Sequence, residues 1–213
     1  YSAAATLVNK IAIPMTIINS IGVALFIIML ESIYREQQRE AAIQSELALK
    51  IADQTLPILR NGINRETALA ACNIIYDAAK VDAVAITRGM EILAHVGAGS
   101  DHHLPGENIK TYATTLALEK GEPVIATESG MIDCSNENCM LKSAAIAPLI
   151  KKDKVIGVLK IYKTKENAIT KVDAQLAEGL AKLFSTQIEL AEIDYNAKLL
   201  SKAELKALQA QIN

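Results

Sequence analysis

Residues 81–108, VDAVAITRGMEILAHVGAGSDHHLPGEN, are the most informative part of this sequence. A β-like run over residues 81–87 turns at residues 88–90 and returns through residues 91–96. Two apolar runs joined by a tight, Gly-containing turn predict a β-hairpin. The Gly-, Asp- and His-rich residues 97–108 that follow predict a loop. We therefore expect a pair of antiparallel strands followed by a polar loop.

The segments around the hairpin predict the rest of an α+β domain. Asn64 is a good N-cap for a helix over residues 64–79, and Thr170 precedes a helical pattern that runs to Asn213. Because the strands are joined by hairpins and not by repeated crossovers, we expect an antiparallel sheet with helices packed on one face. The elements predicted in between are a helix over 109–120, a strand over 123–126, a loop over 128–142, and a second hairpin of strands 143–150 and 155–163.

Residues 11–30, IAIPMTIINSIGVALFIIML, carry no charged side chain. About 20 apolar residues span the core of a bilayer as a helix, so this segment is predicted to cross a membrane. A buried core helix usually has a shorter apolar stretch, and the apolar region of a cleaved signal peptide is also shorter, about 7–15 residues. Lys10 precedes the segment, whereas Arg35 and Arg39 follow it, which predicts a cytoplasmic location for the C-terminal part.

The composition argues against one class of partner. The 213 residues carry a formal net charge of −2, with 4% aromatic residues and no Trp. Nucleic-acid binding needs clustered Lys and Arg, and single-strand binding also uses aromatic platforms. No nucleic-acid partner is therefore expected. Three Cys residues in a chain of this length do not form a disulfide framework.

The first candidate site is the polar loop over residues 97–108. Its glycines allow backbone N–H groups to approach an anion, and its Ser, Asp and His side chains can hold a small polar ligand. The sequence contains no phosphate-binding loop of the Gly-x-x-x-x-Gly-Lys-Ser/Thr type. A packed loop whose Asp and His bond to the backbone is the alternative interpretation. The residues predicted to contact a ligand are Gly97, Gly99, Ser100, Asp101, His102 and His103.

A second candidate is the loop that contains Cys134 and Cys139 and leads to Lys142 and Ser143. With the two adjacent histidines of the first loop, these cysteines suggest a Cys2His2 metal site, but their spacing departs from that of usual paired ligands. A redox-responsive pair of thiols and simple ligand contacts are the alternatives. We expect no metal and assign all four residues to ligand binding. Cys72 lies on an apolar helix face and is expected in the core.

Lysines are concentrated in the second predicted hairpin and just after it. A solvated edge that discourages strand pairing explains them, and contact with anionic lipid is the alternative. The six lysines are Lys151, Lys152, Lys154, Lys160, Lys163 and Lys165.

This order of elements resembles a GAF domain, a sensor fold that binds small molecules. Four segments also resemble the LytS-type sensor histidine kinases in their order along the chain. They are similar to the last membrane helix, the GAF signature loop, the second loop, and the run that leads to the phosphoacceptor segment. In this sequence they are Val8 and Asn9 with residues 17–26, residues 94–103, residues 134–144, and residues 205–213.

The resemblance implies four parts: a transmembrane helix over 1–30 that ends a larger membrane domain, a connecting helix over 31–62, a GAF-like sensor core over 63–169, and a long signalling helix over 170–213. It also implies an unidentified small-molecule ligand, a homodimer through the connecting helices, a downstream response regulator, and a place in the cell inner membrane with Glu31 onward in the cytoplasm. ATP and magnesium are implied only for a kinase domain beyond this chain. No cofactor and no catalytic residue are therefore expected in the chain itself.

A GAF-fold thiol enzyme is the alternative, and it resembles the free methionine sulfoxide reductases, with Cys134 or Cys139 as the nucleophile. Such an enzyme needs an activated thiolate, and Lys142 or the histidine pair are the candidate activating groups. The membrane helix and the long C-terminal helix have no purpose in that enzyme. Sensory transmission is therefore the preferred prediction.

Overall fold

The structure, a computed structural model, describes residues 2–60 and 62–212, and it divides into two compact units, Tyr1–Ser45 and Glu46–Asn213. Asn61-Gly62 predicts the end of the connecting helix by C-capping, and Asn61 lies outside the described residues. The side chains of 2–9, 13, 40–42, 44 and 205–212 are also outside the description, and with them the resemblance at Val8, Asn9 and residues 205–213.

The first helix, α1, runs from Ser2 to Leu59. Its segment Lys10–Arg39 is long and apolar enough to cross a membrane, by length and composition. The described large apolar side chains between Ile11 and Leu30 are all exposed; Phe26, for example, is 57% exposed. The core helix of a protein buries such side chains, whereas this segment buries none of its most apolar stretch within the described residues.

The second unit contains a five-stranded sheet in the order β2-β1-β5-β4-β3, and every neighbouring pair is antiparallel. The α+β class and the antiparallel sheet are therefore confirmed. A short helix, α4, lies within the segment predicted as a loop. The elements are α2 (Arg65–Ala79), β1 (Ala83–Arg88), β2 (Glu91–Gly97), α3 (Tyr112–Lys120), β3 (Val124–Ala126), α4 (Ser129–Ile132), β4 (Ser143–Lys151), β5 (Lys154–Lys163) and α5 (Lys171–Ile212).

Two polar residues fix the starts of the long helices, as predicted. The Asn64 side chain accepts from the N–H of Thr67 (3.0 Å), and the Thr67 hydroxyl accepts in return from the N–H of Asn64 (2.9 Å). Thr170 accepts from the N–H of Asp173 (3.2 Å), and the Asp173 carboxylate accepts from the N–H of Thr170 (2.9 Å). In each pair, one hydrogen bond satisfies an N–H group in the first turn of the helix and the other satisfies the N–H group of the capping residue. Without the pair, these N–H groups would lack partners.

Side chains from alternate strand positions form two separate cores, one on each face of the sheet. On the first face, Val84 and Ile86 of β1 pack with α2, α5 and the end of α1, and Cys72 is fully buried there, as expected. On the second face, Ala83 and Ala85 pack with α3 and α4. The predicted placement of helices on one face therefore holds for α2 and α5, while the short helices cover the other face.

Lys160 is the clearest departure from the sequence prediction. It was expected on a solvated edge with the other lysines, but its side chain is fully buried. The reason is that β5 pairs with both β1 and β4, so it is not an edge strand. Lys160 alternates with Leu159 and Ile161, which face the first core, and it therefore points to the second face together with Tyr162.

Candidate functional site

Two loops meet on the second face of the sheet. The first loop comprises residues 97–108, between β2 and the segment before α3, and the second loop comprises residues 133–142, between α4 and β4. Although the predicted site residues of these loops lie some thirty positions apart, the ligand-type atoms of two histidines and two cysteines all lie within 4.8 Å of one another. The structure thus brings together His102, His103, Cys134 and Cys139.

The first loop is shaped by glycines with positive φ. A Cβ at Gly97 (φ +96°) would lie 2.3 Å from the Asp82 carbonyl oxygen, so only Gly allows the end of β2 to pack this closely on the start of β1. A Cβ at Gly99 (φ +81°) would lie 3.1 Å from the His103 ring. The N–H of His103 donates to the Gly99 carbonyl (3.0 Å), which turns the chain so that both histidines face the second loop.

The second loop is held against the segment that precedes α3. Thr111 and Cys134 form an isolated antiparallel bridge, and the N–H of Ser135 donates to the Lys110 carbonyl (2.8 Å). The N–H of Cys139 donates to the Asn136 carbonyl (3.1 Å), which folds the loop back on itself. These backbone contacts explain how two cysteines five positions apart reach the same point.

Three sulfur–nitrogen distances define the centre of the site. Cys134 Sγ lies 3.7 Å from His102 Nε2 and 3.8 Å from His103 Nε2, and Cys139 Sγ lies 3.9 Å from His103 Nε2. His102 donates from Nδ1 to the exposed Asp101 carboxylate (2.9 Å), which leaves the lone pair of Nε2 directed at the sulfur. This hydrogen bond also lowers the pKa of Asp101.

The environment favours neutral histidines and one thiolate. Burial lowers the pKa of His103, and it lowers the pKa of His95 to about 4. The Cys139 thiol donates a hydrogen bond to the thiolate of Cys134, and this contact, followed by that of His103 Nε2, lowers the pKa of Cys134. The same hydrogen bond needs the Cys139 proton, so it raises the pKa of Cys139, and burial of the thiol raises this pKa further.

A row of polar side chains leads from this centre along the second face. The ring of His95 stacks on that of His103 (4.9 Å between centroids) and is followed by Tyr162 (6.1 Å from His95). Lys160 lies at the far end, with Nζ 5.6 Å from the Tyr162 ring centroid and 3.5 Å from the Thr114 hydroxyl oxygen.

Three buried polar atoms in this row lack a hydrogen-bond partner within the described part of the chain: His95 Nδ1, His103 Nδ1 and Tyr162 Oη. Buried polar groups are nearly always paired, so unpaired atoms gathered beside a buried amine suggest a place for a ligand. Sequence reasoning missed Lys160, Tyr162 and Thr114. The alternation along β5 places Val158, Lys160 and Tyr162 on the same face of the strand, and this pattern could have identified Lys160 and Tyr162 from the sequence.

The other predicted residues lie around this centre without converging on it. Ser100 and Asp101 are exposed at the rim. The Ser143 hydroxyl donates to the Lys165 carbonyl (2.8 Å), and the N–H of Lys142 donates to the Lys163 carbonyl (2.9 Å). These contacts hold the start of β4 to the end of β5.

A separate cleft of about 640 Å³ lies on the first face, bordered by the end of α1, the sheet and α5. Its charged groups are largely paired with one another: Lys151 binds Glu192 (2.9 Å), and the Arg88 guanidinium donates to the Ile63 carbonyl. We place the candidate site on the second face, where the unpaired polar atoms are.

Comparison with known proteins agrees with this fold. The family model described as "GAF domain" matches residues 66–190. The curated sensor histidine kinase/phosphatase LytS of Staphylococcus aureus is 44% identical over 210 residues, which is 99% of this chain and 36% of that protein. The chain therefore spans about a third of the length of the curated relatives that it matches.

Solved structures show the same fold at low identity. The GAF domain of an Acinetobacter phosphoenolpyruvate-protein phosphotransferase aligns with a TM-score of 0.54 and 16% identity, over 68% of this chain and 94% of that chain. The free methionine-R-sulfoxide reductase of Neisseria meningitidis aligns with a TM-score of 0.53 and 16% identity, over 71% of this chain and 89% of that chain. At this identity the similarity concerns the fold alone.

Proposed function

This chain belongs to the GAF domain family, and from that premise we propose that it is the membrane-tethered sensory region of a two-component histidine kinase. In this proposal a small signal molecule binds on the second face of the sheet, and the helices carry the change to a kinase domain beyond this chain. The similarity to LytS supports a role in sensory signalling. The small-molecule ligand, the membrane tether and the kinase domain that receives the signal are proposals that go beyond this similarity.

The observation that carries the ligand proposal is Lys160, which is fully buried and forms no ion pair within the described part of the chain. Burying an ammonium group without an anion is unfavourable. An anionic ligand beside Lys160 would supply the missing charge and accept a hydrogen bond from the Tyr162 hydroxyl. Because His95 donates from Nε2 to the Ala98 carbonyl (2.7 Å), its Nδ1 is an acceptor, and a hydroxyl or amino group of the same ligand would donate to it. We therefore propose a small carboxylate or phosphate as the ligand class, with its charge beside Lys160. The assignment of the loop residues to the same ligand stays a prediction; they are Gly97, Gly99, Ser100, Asp101, His102, His103, Cys134, Cys139, Lys142 and Ser143.

The route of transmission is α5. Its first half packs on the first face through Leu180 and Phe184, and the Ser185 hydroxyl accepts from the N–H of Ile150 in β4 (2.9 Å). The side chains of residues 193–204 are exposed, and the exposed apolar ones of this half include Leu190, Ile193 and Leu200. The exposed apolar side chains in the second half of α5 fit a homodimer in which the α5 helices of two chains pack together. Because the first half of α5 packs on the sheet, a small shift of the sheet would move this pair of α5 helices.

The ligand proposal is tested by thermal unfolding of the whole chain in detergent with a panel of small carboxylates and phosphates. An anion at about 100 times its Kd should stabilise the fold by about 2.7 kcal/mol. For a unit of this size the Tm should rise by roughly 5–10 °C. The matched control for each acid is its neutral amide, which should leave the Tm unchanged. If every acid behaves as its amide does, the ligand proposal is wrong.

Membrane tethering is supported by the exposed apolar surface of residues 10–39. We propose an inner-membrane location with Glu31 onward in the cytoplasm. A fluorescent protein fused after Asn64 should fluoresce, and alkaline phosphatase at the same position should be inactive. Replacing Arg35 and Arg39 with Gln should weaken this preference, whereas Lys10→Gln should not. Active phosphatase with a dark fluorescent fusion would show the opposite orientation.

The partners and cofactors of the whole protein remain proposals. A response regulator would receive the phosphoryl group, and ATP with magnesium would bind the kinase domain beyond this chain.

Thiol chemistry is the second candidate function, and the thiolate environment of Cys134 is the observation that favours it. Cys134 would attack a sulfoxide and Cys139 would then close a disulfide, so that two thiols are oxidised while the sulfoxide becomes a thioether and water. Loss of both thiols on incubation with free methionine sulfoxide, and retention of Cys139 as a thiol in Cys134→Ser, would support this function.

A further inference from the structure

We propose that His102, His103, Cys134 and Cys139 bind one zinc ion and that this ion joins the two loops. Two nitrogens and two sulfurs converge from separate parts of the chain, with all four ligand-type atoms within 4.8 Å of one another. The proposal does not depend on the sensory function, because it rests only on the donor atoms and their geometry.

The distances between donors match those around a tetrahedral zinc ion. Zn–S bonds of about 2.3 Å and Zn–N bonds of about 2.0–2.1 Å place sulfur and nitrogen ligands about 3.6 Å apart at the tetrahedral angle. The three measured sulfur–nitrogen distances are 3.7, 3.8 and 3.9 Å. These three pairs need a contraction of a few tenths of an ångström, and a pair at the outer limit of 4.8 Å needs about 1 Å, to close the site around the ion.

The orientation of the histidines provides an independent argument. Both rings present Nε2 to the sulfurs, and His102 is held in place by the Asp101 carboxylate at Nδ1 (2.9 Å). Histidines that bind metals commonly donate their second ring N–H to a carboxylate in this way, which fixes the ring and its tautomer. The Asp101–His102 pair thus provides the outer contact that a zinc site needs.

The donor set selects the metal class. Two thiolates and two imidazoles suit zinc, whereas Ca²⁺ and Mg²⁺ prefer oxygen ligands. Binding releases the thiol protons, and the two thiolates then balance the charge of the ion, which suits a half-buried position. Four protein ligands close the coordination shell, as in structural zinc sites. The ion would thus hold the loops together beside the row that ends at Lys160.

The usual sequence signals do not reveal such a site. The histidines are adjacent and the cysteines are five positions apart, so neither pair has the spacing of common zinc motifs. The convergence arises because the positive φ of Gly99 turns the first loop and the Thr111–Cys134 bridge places the second loop beside it.

The test is elemental analysis of the whole chain, purified in detergent under reducing conditions without a polyhistidine tag. We expect about one zinc per chain after dialysis against a weak chelator, and less than about a tenth of that in Cys134→Ser and in His103→Asn. Cys72→Ala is the matched control, because Cys72 is buried in the other core and should leave the zinc content unchanged.

Cobalt substitution provides the second readout. Co²⁺ in the wild-type chain should show the visible bands of tetrahedral coordination and thiolate-to-cobalt charge transfer, and both should vanish in Cys139→Ser. A wild-type chain with less than about a tenth of a zinc, or with all three cysteines as free thiols and no cobalt bands, overturns the proposal. Absence of zinc with an intact response to anions would contradict the zinc site alone. Zinc binding without any response to anions would contradict the ligand proposal alone.

Discussion

Replacing Gly157 with Ala is expected to destabilise the sheet more than any other single-methyl change considered for this chain. Gly157 lies in β5, where the end of β1 crosses closely, and a Cβ there would lie 2.0 Å from the Thr87 carbonyl oxygen and 3.2 Å from Arg88 Cα. Both are backbone atoms of a strand that is paired on both sides, so neither can move without breaking ladder hydrogen bonds. We expect a loss of at least about 3 kcal/mol.

Thermal unfolding of the whole chain, followed by circular dichroism, measures this effect. For a unit of this size, 3 kcal/mol corresponds to a decrease in Tm of roughly 6–12 °C. Gly179→Ala is the matched control, because Gly179 is exposed on α5 with no atom near its would-be Cβ. In a helix interior this change should stabilise by up to about 1 kcal/mol. Equal Tm values for the two variants would show that β1 and β5 do not approach as closely as described.

Lys160→Met is expected to reduce the stabilisation by anions by about half or more while leaving the unliganded fold intact. Methionine fills a similar volume without a charge, so the Tm without ligand should be unchanged or higher, since a buried amine with one contact at 3.5 Å is lost. A hydrogen bond to a charged group contributes about 1.5–3 kcal/mol, which corresponds to a loss of roughly 10- to 150-fold in affinity.

The control for Lys160→Met is Lys154→Met, on the same strand but exposed. The same panel of acids and amides is used with both variants and with the wild type. We expect the active acid to raise the Tm of the wild type and of Lys154→Met equally, and to raise that of Lys160→Met by about half as much or less. An unchanged response in Lys160→Met would place the ligand elsewhere, and the cleft beside Arg88 on the first face would then be the next site to examine.

The local features of this fold could be predicted from the sequence because they depend on near neighbours. The uncharged run of residues 11–30 indicates a spanning helix without any tertiary information. The caps at Asn64 and Thr170 involve residues only three positions away. Alternation over β1 and β2 with a tight turn between them indicates a hairpin, and its strand bounds are within two residues of the prediction.

The site could be predicted only in part, for a physical reason. That the polar loops lie on one sheet followed from their places between strands, but a sequence does not state which strand lies between which others. Lys160 was expected at the surface, but its amine is buried because β5 pairs with both β1 and β4. The Thr111–Cys134 bridge and the turn at Gly99 bring together four donor atoms whose spacing along the chain matches no common motif. Hydrophobic periodicity and helix capping depend on residues that are close in sequence, so they can be predicted from the sequence. Burial of a charged side chain and convergence of metal ligands depend on contacts between distant segments, and only the packed sheet establishes those contacts.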